Sequence, residues 1–274
     1  MEINRSNIMD IVNNSNARPD KDYGQNFLVE PEVCKRIVSS LDIQNGENVL
    51  EIGPGLGSLT HFIQLEATKL TIVDIDERMI ALLRLLYGKC ENVEMVLDDI
   101  RKVNVSNYDK IIGNLPYNIT TETIVYLLQY AIKFKKIVLM IQSDAFPHFL
   151  DTEGKEYGPA SVLLHLLGNV RKLFQVKAGS FYPAPKCGST VFEINKDPVC
   201  ELNEAKQVYA FAKSMFANRR KTILNNLTGL VKSRDLANAI LLEADIKITA
   251  RPEDINPNNY LNLCRIYQKH LLKQ

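Results

Sequence analysis

The chain has 274 residues, of which 46% are hydrophobic and 24% are charged, a balance typical of a globular protein with a sizeable buried core. No apolar run is long enough to span a membrane and the first 22 residues lack the apolar segment of a signal peptide, so we expect a cytoplasmic protein without a membrane partner. Five scattered cysteines without a C-x-x-C pair argue against disulfides and zinc, and the net charge of +1, taken alone, argues against a nucleic-acid partner.

The first two thirds of the chain alternate short apolar segments with amphipathic ones. The apolar segments are rich in Val, Ile and Leu, as buried parallel strands are, and lie at Asn48–Gly53, Leu70–Asp74, Val93–Leu97, Lys110–Gly113 and Lys136–Ile141. Segments of helical period separate them, at Leu59–Leu65, Glu77–Leu86 and Thr121–Tyr130. This alternation predicts an open α/β sheet with right-handed crossovers, which binds ligands at the carboxyl ends of its strands.

The pattern changes after Leu150. A helix at Ala160–Leu167 precedes two predicted strands, Val170–Val176 and Thr190–Ile194, and Lys196-Asp197-Pro198 has the composition of a linker. Only helical patterns follow, at Glu204–Ala217, Lys221–Leu230, Arg234–Ala244 and Pro257–Leu272. We therefore predict an N-terminal extension over residues 1–22, an α/β domain over 23–197 and a small α-helical domain over 198–274.

The net charge is distributed unevenly along the chain. Residues 1–199 contain 21 Lys and Arg against 25 Asp and Glu, a balance of −4, whereas residues 200–274 contain 12 against 7, a balance of +5. A basic C-terminal part is compatible with a polyanionic partner. An ordinary solvated helical surface explains the charge equally well.

A glycine-rich segment, Gly53-Pro54-Gly55-Leu56-Gly57, follows the first strand. Glycines there allow a ligand to approach the backbone, but the spacing is not the G-x-G-x-x-G of nicotinamide-binding proteins and no phosphate-binding Lys follows. Asp74 ends the second strand, 21 residues after Gly53, where a carboxylate can bind ribose hydroxyls, and Asp99 follows the third strand. Together these residues indicate a cofactor that contains a nucleoside, with ordinary turn residues as the alternative.

The fourth strand leads into Asn114-Leu115-Pro116-Tyr117. An exocyclic adenine amine is a weak nucleophile because its lone pair is delocalised into the ring. The Asn114 side-chain oxygen and the Pro116 carbonyl are placed to accept hydrogen bonds from such an amine and so localise the pair, while Tyr117 is placed to stack on the base. A simple turn is the alternative for this segment on its own.

Taken together, these motifs resemble those of a known family, the rRNA adenine N6,N6-dimethyltransferases. The resemblance covers nearly the whole chain after the first twenty residues and rests on several motifs in order, which are Gly24-Gln25-Asn26-Phe27-Leu28, Gly53–Gly57, Asp74-Ile75-Asp76, Asp99, Asn114–Tyr117, Phe181–Lys186, Arg219-Arg220-Lys221-Thr222 and Arg251-Pro252-Glu253. It implies a Rossmann-like domain that binds S-adenosylmethionine and a small helical C-terminal domain.

The resemblance also implies a role for each motif. Gln25, Asn26 and Leu28 close over the methionyl end of the cofactor, which Gly53 and Gly55 also face. Asp74 is implied to hold the ribose and Asp99 the adenine, Ile75 and Ile100 are further cofactor-binding residues, and Asn114 is shared between the cofactor and the target. Phe181 packs against the target adenine opposite Tyr117, with a core aromatic as the competing interpretation.

The implied partner is RNA. Arg219, Arg220 and Lys221 are expected to contact rRNA phosphates. The Asn-Leu-Pro-Tyr and Arg-Arg-Lys-Thr motifs resemble those of the family members that dimethylate two adjacent adenosines near the 3′ end of small-subunit rRNA. The expected partner is therefore small-subunit rRNA or an immature 30S particle, and we expect the protein to be a monomer.

Two segments depart from the family pattern. Gln142–His148 lacks the Lys, Glu and Arg that usually follow the fifth strand, and Pro147 limits any helix there, while Leu224 replaces an Arg of the basic motif. These departures leave two other hypotheses open. One is a large-subunit rRNA methyltransferase that confers macrolide-type resistance, and the other is a non-catalytic ribosome-assembly or RNA-binding factor.

Overall fold

The structure is a computed structural model that describes residues 2–14, 17–20, 23–116 and 119–272. The chain divides into two compact units. The first comprises residues 1–144 and 171–195 and the second comprises residues 145–170 and 196–274.

Each predicted strand and helix has a counterpart in the structure. The strands are β1 (Phe27–Leu28), β2 (Asn48–Ile52), β3 (Lys69–Asp74), β4 (Val93–Leu97), β5 (Lys110–Asn114), β6 (Lys136–Gln142), β7 (Gly168–Val176), β8 (Phe181–Tyr182) and β9 (Ser189–Lys196). The helices are α1 (Ile8–Asn14), α2 (Pro31–Leu41), α3 (Thr60–Glu66), α4 (Glu77–Tyr87), α5 (Thr120–Tyr130), α6 (Pro147–Leu150), α7 (Pro159–Leu167), α8 (Leu202–Phe216), α9 (Ile223–Val231), α10 (Arg234–Glu243) and α11 (Pro257–Leu271). The structure thus also contains the elements β1, β8, α1, α2 and α6, which the sequence does not predict.

The main sheet has the strand order β4-β3-β2-β5-β6-β9-β7. Strands β4, β3, β2, β5 and β6 are parallel and β9 pairs antiparallel with β6. The predicted α/β fold is confirmed, and the carboxyl ends of β2, β3, β4 and β5 lie at one edge of the sheet. The residues that follow these strands therefore come together there.

Helix α2 is absent from the predicted elements, although its sequence contains the signals for it. Pro31 occupies the first turn, where its missing N–H is not needed, and the buried side chains recur with helical period at Cys34, Ile37, Val38 and Leu41. These side chains belong to the hydrophobic core that covers one face of the sheet.

The N-terminal segment is also folded, in addition to the predicted elements. Helix α1 buries Ile8, Ile11 and Val12 in a hydrophobic cluster that includes Phe27 and Leu56. Phe27 lies in β1, which forms a separate two-stranded sheet with β8, with Phe27 opposite Tyr182 and Leu28 opposite Phe181. The segment therefore packs around the residues that flank the glycine loop.

The second unit is helical, and its extent differs from the predicted domain. Residues 145–170, which the sequence places with the α/β domain, belong to the helical unit. Helix α7 explains the difference, because its residues Val162, Leu163, Leu164 and Leu166 are fully buried and helices α8 and α11 of this unit pack on it. A helix that is apolar on all sides must be surrounded by other elements, and the sequence pattern does not show which elements these are. No helix in the described part of the chain is long and apolar enough to cross a membrane.

Replacement of Ile8 by Ala tests the packing of the N-terminal segment. Ile8 is 3% exposed, so Ile8→Ala is expected to lower the free energy of unfolding by roughly 2–5 kcal/mol, through lost burial and the cavity left behind. Met9→Ala is the matched control, because Met9 is 46% exposed and its loss is expected to cost less than about 0.5 kcal/mol. Equilibrium unfolding in urea measures both, and equal small losses would contradict the packing of α1.

Candidate active site

A cavity of about 340 Å³ opens at the carboxyl edge of the parallel strands, within the first unit. Its lining includes every described residue that the sequence assigns to the cofactor or the target amine. These are Gln25, Asn26, Leu28, Gly53, Gly55, Asp74, Ile75, Asp99, Ile100, Asn114, Pro116 and Phe181. Tyr117 lies outside the described residues.

The glycine loop bends sharply at the end of β2. Gly53 and Gly55 have φ angles of +65° and +55°, a region that residues with a side chain rarely adopt. A Cβ atom on Gly55 would lie 2.9 Å from Cδ1 of Phe27, so the ring of Phe27 packs directly against the loop backbone. The Ser58 hydroxyl, at the end of the loop, donates a hydrogen bond to the Leu28 carbonyl at 2.7 Å. The loop is thus fixed by β1.

Asp74 is the last residue of β3, and its side chain is 9% exposed. The backbone N–H of Asp76 donates to its Oδ1 at 2.9 Å, and the N–H groups of Gly55 and Ile75 also donate to the carboxylate. Burial raises the pKa of Asp74 to about 6 despite these hydrogen bonds. The carboxylate is therefore an acceptor held against the glycine loop. Ile75, beside it, is 55% exposed.

Gln25 connects the segment before β1 to the same region. Its Nε2 donates to Asp76 Oδ2 at 2.8 Å, and its Oε1 accepts from the backbone N–H of Asp20 at 2.9 Å. Asp76 also binds Arg78, with 2.7 Å between Nη2 and Oδ2. Gln25 therefore lines the cavity while its amide is held by the protein.

Asp99 follows β4 and has a different environment from Asp74. Arg101 forms an ion pair with it, with 2.5 Å between Nη2 and Oδ2. The hydrogen bonds from Arg101 lower the pKa of Asp99, although partial burial opposes them. Asp99 is thus ionised at neutral pH, and its neighbour Ile100 is buried beside it.

Asn114 ends β5, and its Nδ2 donates to the Asn26 carbonyl at 3.3 Å. Because this bond uses the N–H side of the amide, Oδ1 is left as the acceptor for a ligand amine. The Pro116 carbonyl, by contrast, already accepts hydrogen bonds from the Ile119 N–H at 3.3 Å and the Thr120 hydroxyl at 3.0 Å. It would have to exchange one of these bonds to accept from a substrate.

Phe181 combines the two interpretations that the sequence leaves open. Its side chain is 4% exposed and belongs to the hydrophobic core with Leu28 and Met140. It also lines the cavity, where its position is set by the pairing of β8 with β1.

Several other residues line the cavity although the sequence motifs give them no role, among them Glu51, Arg101 and Met140. Glu51 is a carboxylate within an otherwise apolar strand, and this interruption of the pattern is a signal for its position. Arg101 carries no such signal, because a charged residue in a loop is usually solvated.

The predicted RNA-binding residues lie in the helical unit, just before α9. Arg220 and Lys221 are exposed. Arg219 is engaged by the protein, since its Nη2 donates to the Gly154 carbonyl at 2.7 Å and its Nε lies 3.5 Å from Glu253 Oε2. Arg220 and Lys221 are therefore accessible to a ligand, whereas Arg219 already has partners within the protein.

The two departures from the family pattern have structural correlates. Pro147 occupies the first turn of α6, which is only four residues long, and Phe146 and Phe149 are buried. Leu224 is 3% exposed in α9. Leu224 therefore contributes an apolar side chain to the helical unit at a position where the resemblance leads one to expect Arg, and Phe146 and Phe149 are buried next to the segment that lacks the expected Lys and Glu.

The described residues contain no cluster of His, Cys, Asp or Glu side chains that could hold a metal ion. The polar groups in the cavity are suited to hydrogen bonding with polar organic ligands. They comprise four carboxyl groups (Glu51, Asp74, Asp98, Asp99), three side-chain amides (Gln25, Asn26, Asn114) and the backbone of the glycine loop.

Comparisons with known proteins agree with this geometry. The sequence model of the family "Ribosomal RNA adenine dimethylase" matches residues 15–269. Ribosomal RNA small subunit methyltransferase A of Malacoplasma penetrans is 34% identical over 244 residues, which cover 88% of this chain and 89% of that protein.

Two solved structures share the fold. A dimethyladenosine transferase from Plasmodium falciparum has a TM-score of 0.75 and 25% identity, over 89% of this chain and 98% of that one. The 23S rRNA methyltransferase ErmE has a TM-score of 0.68 and 24% identity, over 89% of this chain and 100% of that one, which shows the fold alone. From the family match, which spans almost the entire sequence, together with this fold and cavity, the chain belongs to the ribosomal RNA adenine dimethylase family.

Proposed function

We propose that the protein uses S-adenosylmethionine to dimethylate the N6 amines of two adjacent adenosines near the 3′ end of small-subunit rRNA. The observation that carries this proposal is the cavity, because the predicted site residues come from six separate segments of the first unit and line it together. S-adenosylmethionine supplies an electrophilic methyl group on a sulfonium sulfur. The curated relative named above, a small subunit methyltransferase, supports the choice of substrate.

The cavity residues fit this cofactor. The Asp74 carboxylate, held at the end of β3, would accept hydrogen bonds from the ribose hydroxyls and Asp99 would accept from the adenine amine, while Ile75 and Ile100 would add apolar contacts to the cofactor. Gly53 and Gly55 would face the methionyl end with their backbone, and Gln25, Asn26 and Leu28 would cover it. Two acceptors at the ends of neighbouring strands match the donors of one nucleoside.

Asn114 prepares the target amine. Because the Asn26 carbonyl fixes the amide by accepting from Nδ2, Oδ1 accepts one N–H of the adenine N6 and localises the nitrogen lone pair toward the methyl group. The Pro116 carbonyl is the second acceptor once one of its bonds to the start of α5 exchanges. After the first methylation the amine retains one N–H, so Asn114 can hold it for a second transfer. The methylated nitrogen loses its proton to water.

The target base must leave its stack to enter the cavity. Phe181 provides an apolar surface for it inside the cavity, and Tyr117 is assigned to the opposite face. The rest of catalysis is positioning, since the methyl transfer needs an in-line approach of nitrogen to carbon.

The helical unit binds the rRNA backbone in this proposal. Arg220 and Lys221 are exposed and contact phosphates, which positions the RNA without reading its sequence. Arg219 holds this segment in place by its hydrogen bond to the Gly154 carbonyl and its ion pair with Glu253. It contacts RNA only if its guanidinium binds a phosphate in addition to these partners. The substrate is then rRNA within an immature 30S particle, and the protein acts as a cytoplasmic monomer.

Neither of the other two hypotheses is favoured by a specific observation. A large-subunit target is opposed by Leu115 and the Arg219–Lys221 segment, and a shift in macrolide susceptibility on expression would support it. A non-catalytic role is opposed by the complete set of cavity residues, and failure to bind S-adenosylmethionine would support it.

Asn114→Ala tests the proposed chemistry. Loss of the acceptor is expected to lower the rate of methyl transfer by roughly 100-fold to 1,000-fold while the protein still binds S-adenosylmethionine. The measurement is methyl incorporation into undermethylated small ribosomal subunits, followed by nucleoside analysis and mass mapping of the rRNA. Asn45→Ala, an exposed amide in the loop before β2, is the control. Absence of dimethyladenosine from the parent reaction, or parental activity in Asn114→Ala, contradicts the proposal.

Charge reversal tests the proposed RNA surface. Replacement of Arg220 and Lys221 by Glu is expected to weaken binding to small-subunit rRNA and to reduce its salt dependence, because fewer counterions are released. Lys133→Glu is the matched control, since Lys133 is exposed in the first unit before β6. Filter binding at several salt concentrations measures both. If affinity and salt slope of the double variant equal those of the control, the segment is not an RNA surface.

A further inference from the structure

Glu51 is a buried carboxyl group that the proposed chemistry does not use. It is the penultimate residue of β2, two positions before Gly53, and its side chain lines the cavity although the residue is only 1% exposed. The Thr60 hydroxyl donates to its Oε2 at 2.7 Å, from the first residue of α3.

The groups that face Glu51 are neutral or negative. They are Cys34 on α2, Thr60 on α3, Asp74 on β3 and Tyr87 on α4. Burial, together with the negative charge of Glu51, raises the pKa of the Cys34 thiol and of the Tyr87 hydroxyl, so both stay protonated at neutral pH. The Tyr87 hydroxyl is buried without a hydrogen-bond partner. Among the described residues, none of the groups that act on Glu51 is a cation that would balance its ionised form.

This environment favours the protonated carboxyl. Burial is the largest cause, the hydrogen bonds from Thr60 oppose it and Asp74 adds to it, so that the pKa of Glu51 rises to about 8. At pH 7 the group is mainly protonated in the ligand-free protein. A cation that enters the cavity would favour its ionisation.

The two forms of the proposed cofactor differ in one charge. S-adenosylmethionine has a permanent sulfonium charge, which S-adenosylhomocysteine lacks, and both share the same ammonium and carboxylate groups. A buried carboxyl group that lines the same cavity can therefore distinguish them by its protonation state.

We propose that Glu51 is a specificity-determining residue for the charge state of the cofactor. It is ionised when the sulfonium is bound and takes up a proton when the thioether product is bound. The inference rests on the proposed function, because it assumes this cofactor. During transfer the methyl group moves from sulfur to nitrogen, the amine gives up one proton to solvent and Glu51 takes one up from solvent. The charge within the site is therefore balanced before and after the reaction.

A consequence follows for affinity. Above neutral pH an ionised Glu51 favours the sulfonium form, whereas the thioether form gains nothing from it. The affinity for S-adenosylmethionine, divided by that for S-adenosylhomocysteine, increases as the pH rises. The shared ammonium group titrates in both ligands, so its effect cancels from this ratio.

Calorimetric titration of the full chain with each ligand tests the inference. Between about pH 6 and pH 8.5 the affinity ratio of the wild type is expected to increase roughly tenfold or more. In Glu51→Gln the ratio is expected to stay constant, because the amide does not titrate. Titrations at pH 7 in two buffers of different ionisation enthalpy are expected to show proton release with S-adenosylmethionine and none with S-adenosylhomocysteine beyond that of the shared groups.

Glu47→Gln is the matched control. Glu47 is also a buried glutamate, just before β2, but it pairs with Lys110 and Lys135 and lies outside the cavity lining. Its replacement is expected to leave the pH dependence of the ratio unchanged. A change equal to that of Glu51→Gln would mean that the effect is not specific to Glu51 and would overturn the inference.

The stability of the ligand-free protein reports the protonation of Glu51 independently. A carboxyl group whose pKa is higher in the folded state, here about 8 against 4.5, destabilises the fold increasingly as the pH rises through that interval. Glu51→Gln is therefore expected to gain stability relative to the wild type between pH 5 and pH 8, in urea unfolding at each pH.

The outcomes separate the two proposals. If neither ligand binds, the proposed function fails. The role of Glu51 fails and the proposed function stands in two cases. In the first, both ligands bind and the ratio of their affinities does not depend on pH. In the second, Glu51→Gln lowers the affinity for both ligands by the same factor at each end of the pH range. If Glu51→Gln does not fold, the proton release of the wild type decides, and equal release with both ligands overturns the inference.

Discussion

The missing side chain at Gly55 is the constraint on which the site depends. A Cβ atom there would collide with the Phe27 ring at 2.9 Å, so the ring and the loop backbone share a space that only glycine leaves open. Phe27 in turn pairs through β1 with β8, which carries Phe181, and packs with α1 of the N-terminal segment. One close contact therefore aligns the loop that faces the cofactor, the aromatic residue that faces the target and the segment before them.

The electrostatics of the cavity change from its floor to its mouth. Asp99 is partly exposed and paired with Arg101, which keeps it ionised, while Asp74 is buried and accepts hydrogen bonds from backbone N–H groups. Glu51, the most buried of the three, accepts hydrogen bonds from the hydroxyl and the backbone N–H of Thr60, and no cation stands beside it among the described residues. The three carboxyl groups thus have different pKa values because their burial and their hydrogen-bond partners differ. Asp74 and Asp99 are suited to accept hydrogen bonds from a ligand, and Glu51 is suited to respond to the charge of a ligand.

Much of the fold could be predicted because the parallel strands are rich in Val, Ile and Leu and a glycine or polar residue stands at or just after the carboxyl end of each. That pattern was sufficient to bring Gly53, Asp74, Asp99 and Asn114 to one edge of the sheet. The pairing of β1 with β8 could not be predicted, since two-residue strands have no period and their partners are far apart in sequence. The assignment of residues 145–170 to the helical unit likewise depends on tertiary packing. The bond of Arg219 to Gly154 and the hydrogen bonds to the Pro116 carbonyl have no sequence signal, and Tyr117 stays a prediction.

The most direct test of the account compares two glycines with similar backbones. Gly55 and Gly46 both have positive φ angles, +55° and +85°, so an Ala at either position costs about 1–2 kcal/mol of backbone strain. Only Gly55 contacts Phe27, and nothing lies within 4 Å of a Cβ atom at Gly46. Calorimetric titration with S-adenosylhomocysteine is predicted to show at least a roughly tenfold loss of affinity in Gly55→Ala and parental affinity in Gly46→Ala. Equal affinities in the two folded variants would contradict the claim that this contact shapes the cofactor site.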